Sequence, residues 1–263
     1  MWTLEQRREQ ALYGPLTLHL ARPDTRVIDR RPSWYQIITP SSGESLNEVI
    51  LSTLSADEAD AVIARTVAQY DAHGVPFKWS VGYWSAPPDL AARLERAGFV
   101  GWDVRGMVCD PSALSLPFGA GITVEHVAAD DTRGLDDFVE TMASGWRVSP
   151  AELAPLRASL ERALGQRPQR YLCQLARVDG EPAAVAGLVI AERSGYLTGA
   201  VVLDRFRGRG LYRALLGARL QSLRERGLSL AVTQAREATS APILEHLGFE
   251  TVFRSRCYRH IPG

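Results

Sequence analysis

The chain is nearly devoid of lysine. Of its 30 basic residues Lys78 alone is lysine, and 30 acidic residues balance them, so the formal net charge is zero. A chain without net charge has no global field to draw it to nucleic acid or to an anionic membrane, and any anion site must be local. The preponderance of arginine carries little weight by itself, although guanidinium groups suit planar anions. Cysteine is also scarce. Cys109, Cys173 and Cys257 are isolated, odd in number and outside any CxxC pair, and His19, His73, His126, His246 and His260 never fall at metal-ligand spacing. Neither a disulfide framework nor a zinc site is expected. No run approaches the 18 apolar residues of a membrane span, and the opening MetTrpThrLeuGluGlnArgArgGluGln carries charges where a signal peptide needs an apolar core. The expectation is a cytoplasmic protein, monomeric or homodimeric, with neither nucleic acid nor membrane as a partner.

What is present is the composition of a globular protein, 46% hydrophobic and 23% charged over 263 residues, a length that suits two modest cores. A self-similarity supports the division. LeuGluArgAlaGlyPhe at 94–99 matches LeuGluHisLeuGlyPhe at 244–249, an offset of 150 residues. Each copy follows a strand-like run (77–81 and 228–232) and a helical stretch, and each leads into another strand (100–109 and 250–258). Between the copies, ProSerAlaLeuSerLeuProPheGlyAlaGly (111–121) is aperiodic and reads as a linker. The domains expected are therefore 1–112 and 122–263, joined by 113–121. Periodicity predicts strands near 34–38, 47–53, 77–81, 122–127, 171–178, 183–192, 196–203, 228–234 and 249–258. It predicts helices near 56–73, 88–97, 131–145, 150–164, 210–226 and 239–247. The fold class expected is α/β with a mixed sheet.

The run ValValLeuAspArgPheArgGlyArgGlyLeuTyrArg (201–213) carries chemistry. An apolar strand turns through a Gly-x-Gly loop into an amphipathic helix with Leu211, Leu215 and Ala218 on one face, and with Arg213, Arg219, Arg224 and Glu225 assigned to the exposed one. Gly208 and Gly210 allow backbone N–H groups to converge without Cβ atoms in the way, at the positive end of a helix dipole, which makes a cradle for a diphosphate. Arg205, Arg207 and Arg209 surround it. No GlyLys[Ser/Thr] follows, as a P-loop NTPase requires, and Arg213 occupies the third glycine position of a dinucleotide fingerprint.

In this setting ArgPheArgGlyArgGly, read as Arg/Gln-x-x-Gly-x-Gly, resembles the acyl-CoA signature of the GNAT acyltransferases, and SerAlaProIleLeuGluHisLeuGlyPheGlu (240–250) looks like the later motif of that family. The resemblance covers about residues 120–263 and implies two GNAT-like acyl-CoA N-acyltransferase domains in tandem. It implies that the backbone of Ala200, Val201 and Val202 meets the thioester and pantetheine of acetyl-CoA, and that the diphosphate lies on Arg207, Gly208, Arg209, Gly210, Leu211, Tyr212 and Arg213. The first half shares the Gly-Phe module, but LeuSerThrLeuSerAlaAspGlu (51–58) offers neither glycine nor arginine before its helix, so residues 1–112 resemble a degenerate GNAT-like domain that shapes the acceptor cleft.

The reaction implied is direct attack of a neutral amine on the thioester carbonyl, with backbone N–H groups stabilising the oxyanion. The tyrosine that often protonates the leaving thiolate corresponds to Leu244, a glutamate found in the fifth strand of some members to Val232, and an asparagine preceding the later helix to Glu237. A thiol of pKa about 8.5 leaves without full protonation, so the missing acid is a modest loss. The missing base weighs more: deprotonating an amine of pKa about 10.4 at pH 7 costs roughly 4–5 kcal/mol, against about 1 kcal/mol near 7.7. Weakly basic acceptors are therefore expected. Tyr196, opening a strand, and Glu237, as a partly buried carboxylate with a raised pKa, are the candidates for proton handling. Trp146 and Arg147, in the turn GlyTrpArgValSerPro (145–150), are the candidates for holding the acceptor. The function expected is acetyl transfer from acetyl-CoA to a small-molecule amine. The alternatives are a GNAT-like transferase using another donor (another acyl-CoA or an aminoacyl-tRNA) and a non-catalytic CoA-binding protein.

Overall fold

The computed structural model describes residues 1–16 and 20–263, so His19 lies outside the described residues. Along the chain the elements are α1 (Leu4–Tyr13), β1 (Arg26–Arg30), β2 (Trp34–Ile38), β3 (Glu48–Ser52), α2 (Ala59–Asp71), β4 (Phe77–Val81), α3 (Leu90–Arg96) and β5 (Val100–Cys109). They continue with β6 (Ile122–Val127), α4 (Thr132–Trp146), α5 (Pro150–Gly165), β7 (Tyr171–Val178), β8 (Glu181–Ile190) and β9 (Gly195–Val202). The last four are α6 (Leu211–Glu225), β10 (Ala231–Arg236), α7 (Ser240–His246) and β11 (Glu250–His260). Every element expected from periodicity is present, with α1 and β1 in addition. No helix among the described residues is long and apolar enough to cross a membrane.

Contacts divide the chain into two compact units that do not follow it linearly. The first comprises Met1–Leu20, Met107–Thr233 and Leu244–Val252, and the second Ala21–Gly106, Gln234–Ile243 and Phe253–Gly263. In the first unit the strand order is β10-β9-β8-β7-β6. Alternation along β7 and β8 builds two faces. Tyr171, Cys173, Leu175, Val185 and Val189 point to a core shared with Phe138, Met142, Leu160 and Leu164 of α4 and α5. The intervening Ala176, Ala184 and Ala186 face Leu211 and Leu215 of α6 with Leu203 and Phe206, and small side chains on that face let the helix lie close to the sheet. The 111–121 segment is irregular yet tied down: Arg224 of α6 donates to the carbonyls of Pro111 at 2.8 Å and Leu114 at 3.1 Å. α1, opened by a reciprocal Thr3–Gln6 cap, belongs to this unit through Arg7–Glu250 (2.7 Å) and through Arg8 Nε donating to the Val252 carbonyl at 2.8 Å.

In the second unit the order is β1-β2-β3-β4-β11-β5. The C-terminal half of β11 runs antiparallel to β4, from Arg256↔Val81 to His260↔Phe77. Its core is aromatic: Phe77 stacks on Tyr70 at 4.0 Å and meets Phe99 edge-on at 5.4 Å, with Trp79 and Tyr258 buried beside them. The single lysine, Lys78, bonds Glu48 at 2.8 Å across the β3–β4 register, where the carboxylate holds its pKa above the ordinary lysine value.

Candidate active site

β9 delivers the chain into the Gly-x-Gly loop. After Val202, Leu203 and Phe206 bury themselves against α6 and pin a single 3-10 turn, 204–206. Gly208 at φ +76° and Gly210 at φ +84° are both left-handed, while Arg209 between them is not. This alternation turns successive N–H groups to one side, the geometry of an anion nest. Gly210 is the N-cap of α6 and carries no side chain to satisfy the first turn, so those N–H groups remain for a ligand. A Cβ built on either glycine meets nothing within 4 Å: the space above the loop is open. Around it Arg205 pairs with Glu181 (2.6 Å), Arg207 with Asp204 (2.8 Å) and Arg209 with Asp179 (3.9 Å), all with partners at the surface. Such exposed pairs are worth about 0–1 kcal/mol, so a dianion competes for these guanidinium groups at little cost. Arg213 is exposed and Tyr212 half-buried, its phenol pKa pushed up by burial.

Arg219 does not take the exposed position assigned to it. It is 2% exposed, and its Nε donates to the Leu215 carbonyl at 3.2 Å. Burial pulls its pKa down, opposed by the neighbouring Tyr212 and Tyr171. Helical periodicity misplaces it because α6 buries almost its whole circumference, from Ala214 through Leu220, so that no strictly polar face exists in its middle turns.

On the strand side, β9 is bulged. It pairs with β8 at Thr198↔Gly187 and resumes at Val201↔Val185, with Gly199 at φ +56° in the gap. The parallel register with β10 covers Ala231↔Gly195 and Val232↔Tyr196, after which the Thr233 hydroxyl donates to the Leu197 carbonyl at 2.9 Å. Beyond this point the backbone of Thr198 to Val202 has no ladder partner on β10 among the described residues. A strand edge so opened offers N–H and C=O groups to an extended ligand. Gly199 and Thr233 were not singled out in the sequence; the available signal was a glycine interrupting an apolar strand, the usual mark of a bulge.

The end of α4 lies against this bulge. A Cβ on Gly145 would stand 2.2 Å from Val201, and one on Gly199 would stand 2.9 Å from the Trp146 ring. Trp146 is 46% exposed, so it is not a core tryptophan, and Arg147 caps the helix in a left-handed turn at φ +54°. The structure thus brings Trp146 into contact with the strand that carries Ala200, Val201 and Val202. Tyr196, half-buried at the start of β9, packs on the α4–α5 core and under Gly14.

Glu237 belongs to the other unit. Arg105 donates to both of its carboxylate oxygens, one bond being 2.5 Å, and Arg254 pairs with it at 2.7 Å. The Arg105 hydrogen bonds and the two cations hold its pKa at about 2. The expectation of a raised pKa is overturned, because a carboxylate clamped by two guanidinium groups is stabilised as the anion. Val232 and Leu244 are buried at 0% and 2%, so the positions of the customary base and acid are core positions here.

The second unit repeats the strand geometry and closes it. At the 150-residue offset Ile50 corresponds to Ala200. The parallel register of β3 with β4 covers Glu48↔Lys78 and Val49↔Trp79; then the Trp84 indole donates to the Ile50 carbonyl at 3.0 Å, and the strands rejoin at Thr53↔Ala86. Ahead of α2, Ser55 and Glu58 satisfy one another, with Ser55 N donating to Glu58 Oε1 at 3.0 Å and Glu58 N to Ser55 Oγ at 3.3 Å. A carboxylate there repels a phosphate.

Residues 135–249 match the Acetyltransferase (GNAT) family. No curated protein matches the chain in sequence. Among solved structures, a functionally unknown conserved protein from Staphylococcus epidermidis superposes with a TM-score of 0.71 at 12% identity, covering 94% of this chain and 98% of that one. A GCN5-related N-acetyltransferase from Kribbella flavida gives 0.64 at 19% identity, covering 99% and 95%. A tandem GNAT protein from the clavulanic acid biosynthesis pathway gives 0.61 at 15% identity, covering 92% and 85%. At these identities the likeness establishes the fold alone, a mixed α/β fold shared along nearly the whole chain with proteins that include a tandem GNAT protein.

Proposed function

We propose that the protein transfers the acetyl group of acetyl-CoA to an amine of a small molecule, a reading supported by the match of residues 135–249 to the Acetyltransferase (GNAT) family. The observation that carries this reading is the loop at Gly208 and Gly210. Two left-handed glycines open the N-terminus of a 15-residue helix to solvent, among arginines whose surface pairs are weak. A diphosphate is met there by backbone N–H groups, the helix dipole and guanidinium groups together. From that anchor the acyl arm lies along the bulged edge of β9, with Ala200, Val201 and Val202 supplying backbone bonds, and ends beside Trp146.

The acceptor amine attacks the thioester carbonyl; the C–N bond forms, the C–S bond breaks and coenzyme A leaves as its thiolate. Backbone N–H groups of the opened strand stabilise the oxyanion. Trp146 and Arg147 hold the acceptor, the ring covering an apolar part and the guanidinium an acidic one. Tyr196 relays the amine proton. With Leu244 and Val232 in the customary acid and base positions, amines already neutral near pH 7 are the acceptors this site serves. Leu244 also favours a second reading, a protein that binds acetyl-CoA without turnover, since a buried leucine donates no proton to a leaving thiolate.

A thiol-release assay with amines of graded pKa tests both readings. The transferase reading expects acceptor-dependent release that is fastest for the weakly basic amines at pH 7. Tight acetyl-CoA binding with no release above the hydrolysis background, for any amine, would leave the binding-protein reading standing.

A further inference from the structure

The second unit contains a cavity of about 570 Å³ between α2 and the β1–β2 hairpin, outside the acyl-transfer site. Its size is that of a small-molecule pocket. Its floor is a polar relay of fixed direction. An indole nitrogen only donates, so the Trp34 N–H bond to Gln36 Oε1, at 3.2 Å, makes that oxygen the acceptor. Gln36 Nε2 must then donate, as it does to Gln69 Oε1 at 3.0 Å, and the chain ends on the Gln69 amide nitrogen, which lacks a partner among the described residues. Gln36 is 2% exposed and Trp34 is held edge-on against Trp79 at 5.6 Å, so this direction is built into the core.

On the rim stand Arg30 and Arg65, both exposed and both without an ion pair among the described residues. The one acidic side chain of the lining, Glu58, is engaged by the Ser55 N–H. The hydroxyls of Ser33 and Thr66 are spent on the carbonyls of Arg30 and Val62. Apart from the second Glu58 oxygen, whose charge the two arginines outnumber, the unengaged side-chain polar groups are donors, while the Trp34 ring, Leu54 and Val62 supply apolar wall.

We propose that this cavity binds an organic carboxylate with an apolar body: the carboxylate accepts from Gln69 and from the guanidinium groups of Arg30 and Arg65, and the body lies against Trp34. The site is independent of acetyl transfer, and gives the second unit a ligand of its own, where the Trp84 indole meets the Ile50 carbonyl of its opened strand.

The test is an amide and indole ¹H–¹⁵N titration of the full chain with 3-phenylpropionate, 3-phenylpropanol and inorganic phosphate as probes. The acid is expected to shift the Trp34 indole resonance saturably. The alcohol should bind at least about tenfold more weakly, as should the acid to an Arg30→Gln/Arg65→Gln variant, since each charge-assisted bond contributes about a factor of ten. These rim residues are exposed, and unchanged resonances of the second unit away from the cavity confirm that the variant is folded. The proposal is overturned if Trp34 does not respond at millimolar acid, if the alcohol binds as well as the acid, or if phosphate alone saturates the same resonances.

Discussion

Replacing Gly210 by leucine separates a phosphate cradle from a mere turn. At φ +84° any L-residue with a Cβ is disfavoured by about 1–2 kcal/mol. A Cβ at this position touches nothing within 4 Å, so no steric clash is added in the free protein. The free protein therefore loses about 1–2 kcal/mol at most, which for a chain of this size lowers Tm by roughly 2–8 °C. If the backbone relaxes to negative φ instead, stability is largely retained and the first-turn N–H groups rotate away from the diphosphate. Each charge-assisted bond lost is worth about 1.5–3 kcal/mol, or roughly one to two orders of magnitude in affinity. In either case the leucine side chain stands in the open space that the diphosphate needs. Calorimetric titration with acetyl-CoA at fixed salt should show at least tenfold weaker binding for Gly210→Leu and for Gly208→Leu, with far-UV spectra unchanged. Affinity within twofold of the parent in both variants would refute the cradle.

Three further outcomes are expected. Trp146→Ala should raise the acceptor KM about three- to tenfold at constant kcat, because an aromatic contact contributes about 0.5–1.5 kcal/mol beyond its buried area; Gly199→Val, whose Cβ would press on the Trp146 ring, should reproduce that rise. The Glu237 carboxylate is depressed from an ordinary 4.5 to about 2, so its ionised form stabilises the fold above pH about 4.5 and that contribution is lost as the pH falls toward 2. Thermal melts between pH 6 and 3 should show a shallower loss of Tm for Glu237→Gln than for the parent, and equal slopes would mean that the two arginines do not clamp it. Trp84→Phe keeps an aromatic ring but strips the Ile50 carbonyl of its donor, so denaturant unfolding should report a loss of about 1–2 kcal/mol; calorimetry should still count one acetyl-CoA per chain, and a count of two would show that Trp84 alone was keeping the second slot closed.

The elements of this fold and the loop of its site were legible because their causes are local. Strands at 34–38, 77–81, 122–127 and 171–178 follow from runs of β-branched and aromatic residues bounded by turn formers, and Gly208 and Gly210 announce a left-handed loop wherever a strand runs into a helix. α1 was not legible: it is short and rich in charge, and it is held by Glu250 and the Val252 carbonyl, more than 240 residues away in sequence. Its docking energy comes from partners that no window of residues contains. For the same reason Glu237 reads as a partly buried carboxylate with a raised pKa until Arg105, 132 residues earlier, is found donating to both of its oxygens. Arg219 reads as a surface arginine until the sheet, Tyr171 and Tyr212 close over it. That a left-handed glycine loop opens α6 was determined by residue type and spacing, because a glycine loop's geometry is a property of its own backbone. Which arginine is buried, which carboxylate is clamped and which strand carbonyl Trp84 meets were decided by tertiary contacts, because burial and charge pairing depend on groups that only the folded chain brings together.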